Sequence, residues 1–233
     1  MTQLDQTTDG GASTSATGNE KGRGKAGASP LLKRGLPVAL VVVLLVAMAL
    51  SVKVVGKDSA AGAAPGTFSA AAWGKTNFPK VQDAIDKRAV DAATLAAAVG
   101  KDQQAAATKY GIDTGAGAEV SVKFSGTVGK GDSGIYPVTV PGLPKKLLVR
   151  MQTGPAINGT DLRDAPGTIK FGDFTNQIDY QNAASALNNQ LKQQVLAKAD
   201  TANLTGKKVS VVGAFSLINP DAWLVTPAKL SVQ

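Results

Sequence analysis

The sequence predicts a mainly β domain with helices, of the α+β class, carried behind one transmembrane helix. Three observations predict it. Leu36 to Val52, reading LPVALVVVLLVAMALSV, is an apolar run without a charge. From Glu119 onward apolar residues recur at every second position, the period of a half-buried strand. Between the third and fourth strands so marked, the longest polar stretch reverts to helical spacing.

Residues 1–34 are Gly, Ser, Thr and Ala with scattered charge and almost no large apolar side chain before Leu31. A chain of that kind buries too little to offset its ordering entropy, so a disordered cytoplasmic tail is expected. Residues 35–55 are read as a transmembrane signal anchor. At ~1.5 Å per residue the apolar run just crosses a ~30 Å hydrocarbon core, and backbone inside lipid must bond internally, as a helix does. Pro37 falls in the first turn, where its missing N–H costs little. Lys21, Arg23, Lys25, Lys33 and Arg34 precede the run, whereas only Lys53 and Lys57 closely follow it. The positive-inside bias then leaves the N-terminus in the cytoplasm and the C-terminal domain outside. Ala47-Met48-Ala49 also satisfies a small-x-small signal-cleavage pattern, and the outside location holds on that alternative too.

Residues 56–67, GKDSAAGAAPGT, read as a flexible linker. Residues 68–111 read as a helical segment packed on the domain that follows. Asn77-Phe78-Pro79 opens a helix with Pro in its first turn, and Val81, Ala84, Ile85 and Ala89 form its stripe. Asp91 caps a second helix, Ala92 to Val99, which Gly100 ends. Asp102 caps a third, running to Tyr110 with Gly111 as its stop. Such alanine-rich faces need a partner to pack on, with Trp73, Phe78 and Tyr110 as the anchors.

Residues 119–233 read as the β domain. Val120, Val122 and Phe124 alternate with Ser121, Lys123 and Ser125. A loop at Gly129–Gly134 leads to a second strand, Ile135 to Val140. Pro141-Gly-Leu-Pro144 turns the chain into a third, where Leu147, Val149 and Met151 alternate with Leu148, Arg150 and Gln152. A helix beginning near Asp179 carries Tyr180, Ala184, Leu187, Leu191 and Val195 on one face. Two further strands, Lys208 to Leu217 and Trp223 to Val232, close the chain. This order matches the five-stranded Greek-key barrel called the OB-fold, whose helix lies between strands three and four. A generic α+β sandwich also satisfies it. An OB-fold places its ligand face on strands two and three, beside loops that here are Gly129–Gly134 and Ile218–Ala222. Few aromatics fall in the strands, so stacking on single-stranded nucleic acid is excluded as a role.

Composition removes several chemistries. There is no cysteine and no histidine, hence no disulfide, no thiolate nucleophile and neither of the commonest zinc ligands. The net charge is +8, and from Lys53 onward 20 Lys and Arg face 14 Asp and Glu. Solvated surface lysines account for this, with anionic polymers or lipid head groups as the alternative partners. No Ser-x-x-Lys, phosphate loop or Gly-x-Ser-x-Gly elbow occurs. Asp161 and Asp173 could work as an acid–base pair or hold a hard cation, but nothing sets their separation. We therefore expect no enzyme, no metal and no cofactor.

Polar groups crowd instead between two apolar stretches. Asn158, Thr160, Asp161, Arg163, Asp164, Asp173, Thr175, Asn176 and Gln177, with Arg150 on the third strand, are the candidate ligand-binding residues. Arg163 with Asp161 or Asp164 could fix a loop by a charge-assisted pair, and Asn176 and Gln177 offer paired donors and acceptors. Alternatively Asn158-Gly159 is a turn, and Thr175, Asn176 and Gln177 brace the helix start.

Two stretches resemble a known family. Gly154-Pro-Ala-Ile-Asn-Gly-Thr-Asp-Leu-Arg-Asp-Ala165 is similar to its GP-x-I-x-GT-x-LRDA segment, and Phe171-Gly-Asp-Phe-Thr-Asn-Gln-Ile178 to its F-x-DFTNQI segment. These belong to the bacterial periplasmic lipoproteins of domain-of-unknown-function family 2291, over roughly residues 68 to 233. The resemblance implies no activity; family members are often encoded beside ribose-type sugar ABC importers, which implies an accessory role in sugar uptake. Lipid attachment needs a cysteine that this chain lacks, so an anchor or a signal must stand in. The expected function is a membrane-tethered extracytoplasmic binding or accessory protein, possessing a polar concavity near Asn176, with sugar importer components as partners. The alternative is a structural envelope protein without a ligand.

Overall fold

A computed structural model describes residues 67–233 and, apart from them, only Leu44. The expected tail, apolar crossing, cleavage site and nearly all of the linker lie outside the described residues. Among the described residues no helix is long and apolar enough to cross a membrane.

Helix α1, Ala70–Arg88, opens the domain, followed by β1 (Val90–Asp91), α2 (Ala92–Lys101), α3 (Gln103–Tyr110) and β2 (Gly111–Asp113). Ser69 caps α1 by accepting from the Ala72 amide at 3.4 Å, so the helix starts well before the expected opening at Asn77, and Pro79 lies inside it. Proline removes one intrahelical donor, but burial of Phe78, Val81 and Ile85 along the same face outweighs that loss. Asp91 and Asp102 cap α2 and α3 as their positions predict, accepting from Ala93 and Ala105 at 2.9 and 3.0 Å. Gly100 does not end α2, which continues to Lys101.

The barrel is built from β3 (Ala118–Val128), β4 (Ile135–Thr139), β5 (Leu148–Gln152), β6 (Lys208–Ser216) and β7 (Ala222–Val232). The pairing runs β3–β4–β5–β7–β6 and returns to β3, so the sheet closes. Only β5–β7 is parallel among these pairs. That is the OB topology, with the long helix α5 (Gln177–Gln194) between its third and fourth strands. The short strands β1 and β2, absent from the sequence reading, add to β3.

Two cores result. Inside the barrel, Val120, Val122, Phe124, Val149, Met151, Val211, Phe215 and Trp223 meet Leu95, Ala96, Val99 and Ala106 of α2 and α3. Phe215 and Trp223 stack at 4.9 Å. Outside it, α1 and α5 bring Phe78, Val81, Ile85, Leu187 and Leu191 onto Ala214 and Ala228. The two helices approach so closely that a Cβ at Gly74 would lie 2.8 Å from the Ala186 Cβ. The β6–β7 register slips between Val212 and Gly213, leaving Ala228 as the unpaired extra residue.

One turn has no slack. Gly134 has φ +78°, and a Cβ there would stand 1.1 Å from the Gly154 carbonyl oxygen. Its own carbonyl accepts from the Thr153 amide at 2.7 Å, tying the β3–β4 loop to the end of β5. Gly134→Ala is therefore expected to remove roughly 3 kcal/mol or more of stability, read as the midpoint of urea unfolding. An unshifted midpoint would show that the loop yields.

Candidate functional site

The chain leaving β5 crosses to the outer side of the barrel, and α5 holds it there. Asn188, 3% exposed on α5, donates its amide to the carbonyls of Ile157 and Gly159 at 3.2 and 2.9 Å. The pinned loop delivers the short helix α4, Asp161–Asp164, whose first residue faces the strands. There β3 and β6 set Glu119 opposite Ser216, and β6 and β7 set Ala214 opposite Thr226.

A polar chain follows from that register. Ser216 Oγ donates to both Glu119 oxygens, at 2.9 and 3.0 Å. Thr226 Oγ1 donates to Asp161 Oδ2, and the Gln152 amide donates to both Thr226 Oγ1 and Asp161 Oδ2. Glu119 itself is in hydrogen-bond contact with Asp161. Glu119 is 2% exposed, and burial, reinforced by the Asp161 charge, pushes its carboxyl up to about 9. Burial also raises Asp161, against the bonds from Thr226 and Glu119 that favour its charged form. Burial thus favours a proton held between the two carboxyls, which titrate as a pair.

Asp161 forms part of the wall of a cavity of about 490 Å³. Gln152, Asn158, Ser216 and Asn219 supply its other polar groups, and Ala156, Ile218 and Leu224 its apolar ones. Ile218 and Asn219 come from the last hairpin loop; the Gly129–Gly134 loop contributes none of the lining. A second concavity of equal volume lies along β3, β6 and β7, but its Lys229 already pairs with Asp86 at 2.8 Å.

The candidates named from sequence separate into three groups. Asn158 and Asp161 line the cavity, and Thr160 stands exposed between them at the head of α4 without a side-chain cap bond. Arg150 lies on the Gln152 face of β5, opposite Leu224, and its buried Nε has no hydrogen-bond partner. Arg163, Asp164, Asp173 and Asn176 are used by the chain itself. Arg163 clasps Asp164 at 2.7 and 3.0 Å, donates to the Tyr180 carbonyl at 3.2 Å, and stacks 3.6 Å from the Tyr180 ring centroid. Asp173 accepts from the Lys170 amide at 2.8 Å, and Asn176 caps α5 by accepting from the Asp179 amide at 2.9 Å. Thr175 and Gln177 flank that cap, exposed. The concavity is thus centred on Asp161, and Asn176 is not part of its lining.

Sequence reasoning missed Glu119, Gln152, Ser216, Thr226 and Asn188. Glu119 occupies the polar phase of β3, which by alternation alone faces solvent. The signal that marks it otherwise is in β6, where Val211-Val212-Gly213-Ala214-Phe215 breaks alternation, as a strand covered on both faces does.

Arg163→Ala is expected to lower stability by about 3 kcal/mol, because it strands the Asp164 carboxylate, and Arg163→Lys should recover only part of it. Denaturant midpoints test this. For Glu119 the sign is fixed by a folded pKa above the unfolded one. Its contribution is fully present below about pH 4.5 and is lost as pH rises toward about 9. Glu119→Gln should flatten the profile of melting temperature over that window, and profiles that run parallel would refute the shared proton.

Residues 40–231 match the family described as predicted periplasmic lipoprotein (DUF2291). No curated protein matches. The crystal structure of an OB-fold protein from Thermotoga maritima, solved at 1.90 Å, is similar at a TM-score of 0.59. It is 20% identical in sequence, and the match covers 72% of this chain and 99% of that one, a likeness of fold. With four-fifths of its length inside the family's bounds, the chain belongs to the DUF2291 family.

Proposed function

We propose that this protein is a membrane-tethered, extracytoplasmic binding module that assists a transporter and catalyses no reaction. The N-terminus lies in the cytoplasm and the barrel outside, on a single crossing. The observation that carries the reading is the Asp161 cavity. Its volume falls in the range of small-molecule sites, and a few fixed polar groups converge on an apolar wall. Hydroxyl groups suit it, since Asn158 offers donors and an acceptor while the Gln152 carbonyl and Asp161 accept. Ile218 and Leu224 give an apolar surface for the face of a sugar ring. A ribose-type sugar importer is the partner class that the family resemblance supports.

A structural envelope role is the second reading, favoured by Arg163, Asp164, Asp173 and Asn176, whose polar groups are all taken up within the fold. The two differ in what a ligand does. On the binding reading, at least one monosaccharide raises the melting temperature of the full-length protein, and Asn158→Ala abolishes that rise. Asn176→Ala loses about 1 kcal/mol with its helix cap, yet the rise remains. Silence across a monosaccharide panel, with no importer subunit recovered from solubilised membranes, would leave the structural role standing.

A further inference from the structure

Five aromatic rings form an unbroken row along one edge of the domain. Phe68 lies 6.2 Å from Trp73 and 5.4 Å from Phe174; Trp73 and Phe174 are 5.6 Å apart. Phe174 continues to Tyr180 at 5.4 Å, and Tyr180 to Phe171 at 5.7 Å. The row is open to solvent at its end: Phe171 is 53% exposed and Ile178, in the first turn of α5, is 68% exposed. None of this apolar surface belongs to the Asp161 cavity.

We propose that this aromatic edge seats the barrel on the outer leaflet of the membrane that holds the chain's own apolar run, with Phe171 and Ile178 at head-group depth. The inference rests on reading Leu36 to Val52 as the anchor. Three features favour lipid as the occupant. The row begins at Phe68, the point where the chain arrives from the apolar run, and residues 53–67 alone separate the two. Covalent geometry keeps Phe68 within about 58 Å of Val52 even at full extension. The edge is therefore held at high effective concentration beside the bilayer, so weak individual contacts suffice. The apolar side chains left in water here, Phe171 and Ile178, would lose that exposure at the lipid–water boundary, whereas the Tyr180 hydroxyl stays bonded to Asp164 within the fold. Charge plays little part. Lys170 borders Phe171, but Asp173 and Asp179 lie close by, with the Asp173 carboxylate turned to the Lys170 amide and that of Asp179 to the Asn176 side chain. The seating should consequently be insensitive to salt and to anionic lipid.

The absence of cysteine makes single-site spin labelling clean. Full-length Ile178→Cys and Lys130→Cys, each labelled with a nitroxide, would be placed in phosphatidylcholine nanodiscs and probed by collision with oxygen and with a water-soluble nickel chelate. The expected result is loss of nickel collisions and gain of oxygen collisions at Ile178, with the reverse at Lys130 on the β3–β4 loop. Adding Phe171→Ser should return the Ile178 label to water. A label at Ile178 as aqueous as the one at Lys130, in a chain that incorporates, overturns this inference and leaves the anchor intact. Shielding from both reagents would mean that the edge is covered by protein, which also overturns it. Failure to incorporate into nanodiscs removes the anchor and the seating together.

Discussion

Coverage of the barrel's outer wall by α1 and α5 is the constraint on which the rest depends. A five-stranded barrel with one solvated wall would carry Glu119 and Thr226 in water. The two helices turn the outward phase of β3, β6 and β7 into a second interior, with Phe78, Ile85, Leu187 and Leu191 as its apolar part. Most polar groups left inside that layer satisfy one another, because an unpaired buried group costs far more than a bond returns. The Glu119–Asp161 pair, with Ser216, Thr226 and Gln152 around it, is how the layer does so. The buried Ser121 hydroxyl on the same face, which has no partner, is the exception. The same helix that creates the layer also positions the loop carrying Asp161, through the Asn188 amide.

The polar residues of the two family segments divide along this boundary. Arg163, Asp164 and Tyr180 close a knot between α4 and α5, and Asn176 and Asp173 fix the approach to α5. These groups hold the helix that covers the wall. Asn158 and Asp161, a few residues earlier, reach the cavity instead. One segment thus serves two purposes: Arg163 and Asp164 brace the fold, while Asn158 and Asp161 line the cavity.

Periodicity made the barrel legible. The strands of β3, β5, β6 and β7 and the helix α5 follow from period and turn residues, and their order is enough to give the topology. The caps at Asp91 and Asp102 were equally plain. What alternation could not convey is which strand faces are covered, since that depends on helices distant in sequence; Glu119 therefore read as a surface residue. Pro79 misled in a related way. Local chemistry places proline at a helix start, but the packing of Phe78 and Ile85 carries α1 through it. Arg163 was half legible: its pairing with Asp164 is one of the two partners the sequence offered, whereas its stacking on the Tyr180 ring depends on a helix that local sequence does not place.

The closure of the barrel has a kinetic consequence. Glu119 and Ser216, which face one another across β3 and β6, are 97 residues apart in the chain. A polypeptide made from its N-terminus therefore displays the long edge of β3 well before the strand that covers it exists. Loop closure of that span slows folding. During that interval β1 and β2, short as they are, pair with the opposite edge of β3, so the edge that β6 later takes stays open to other chains.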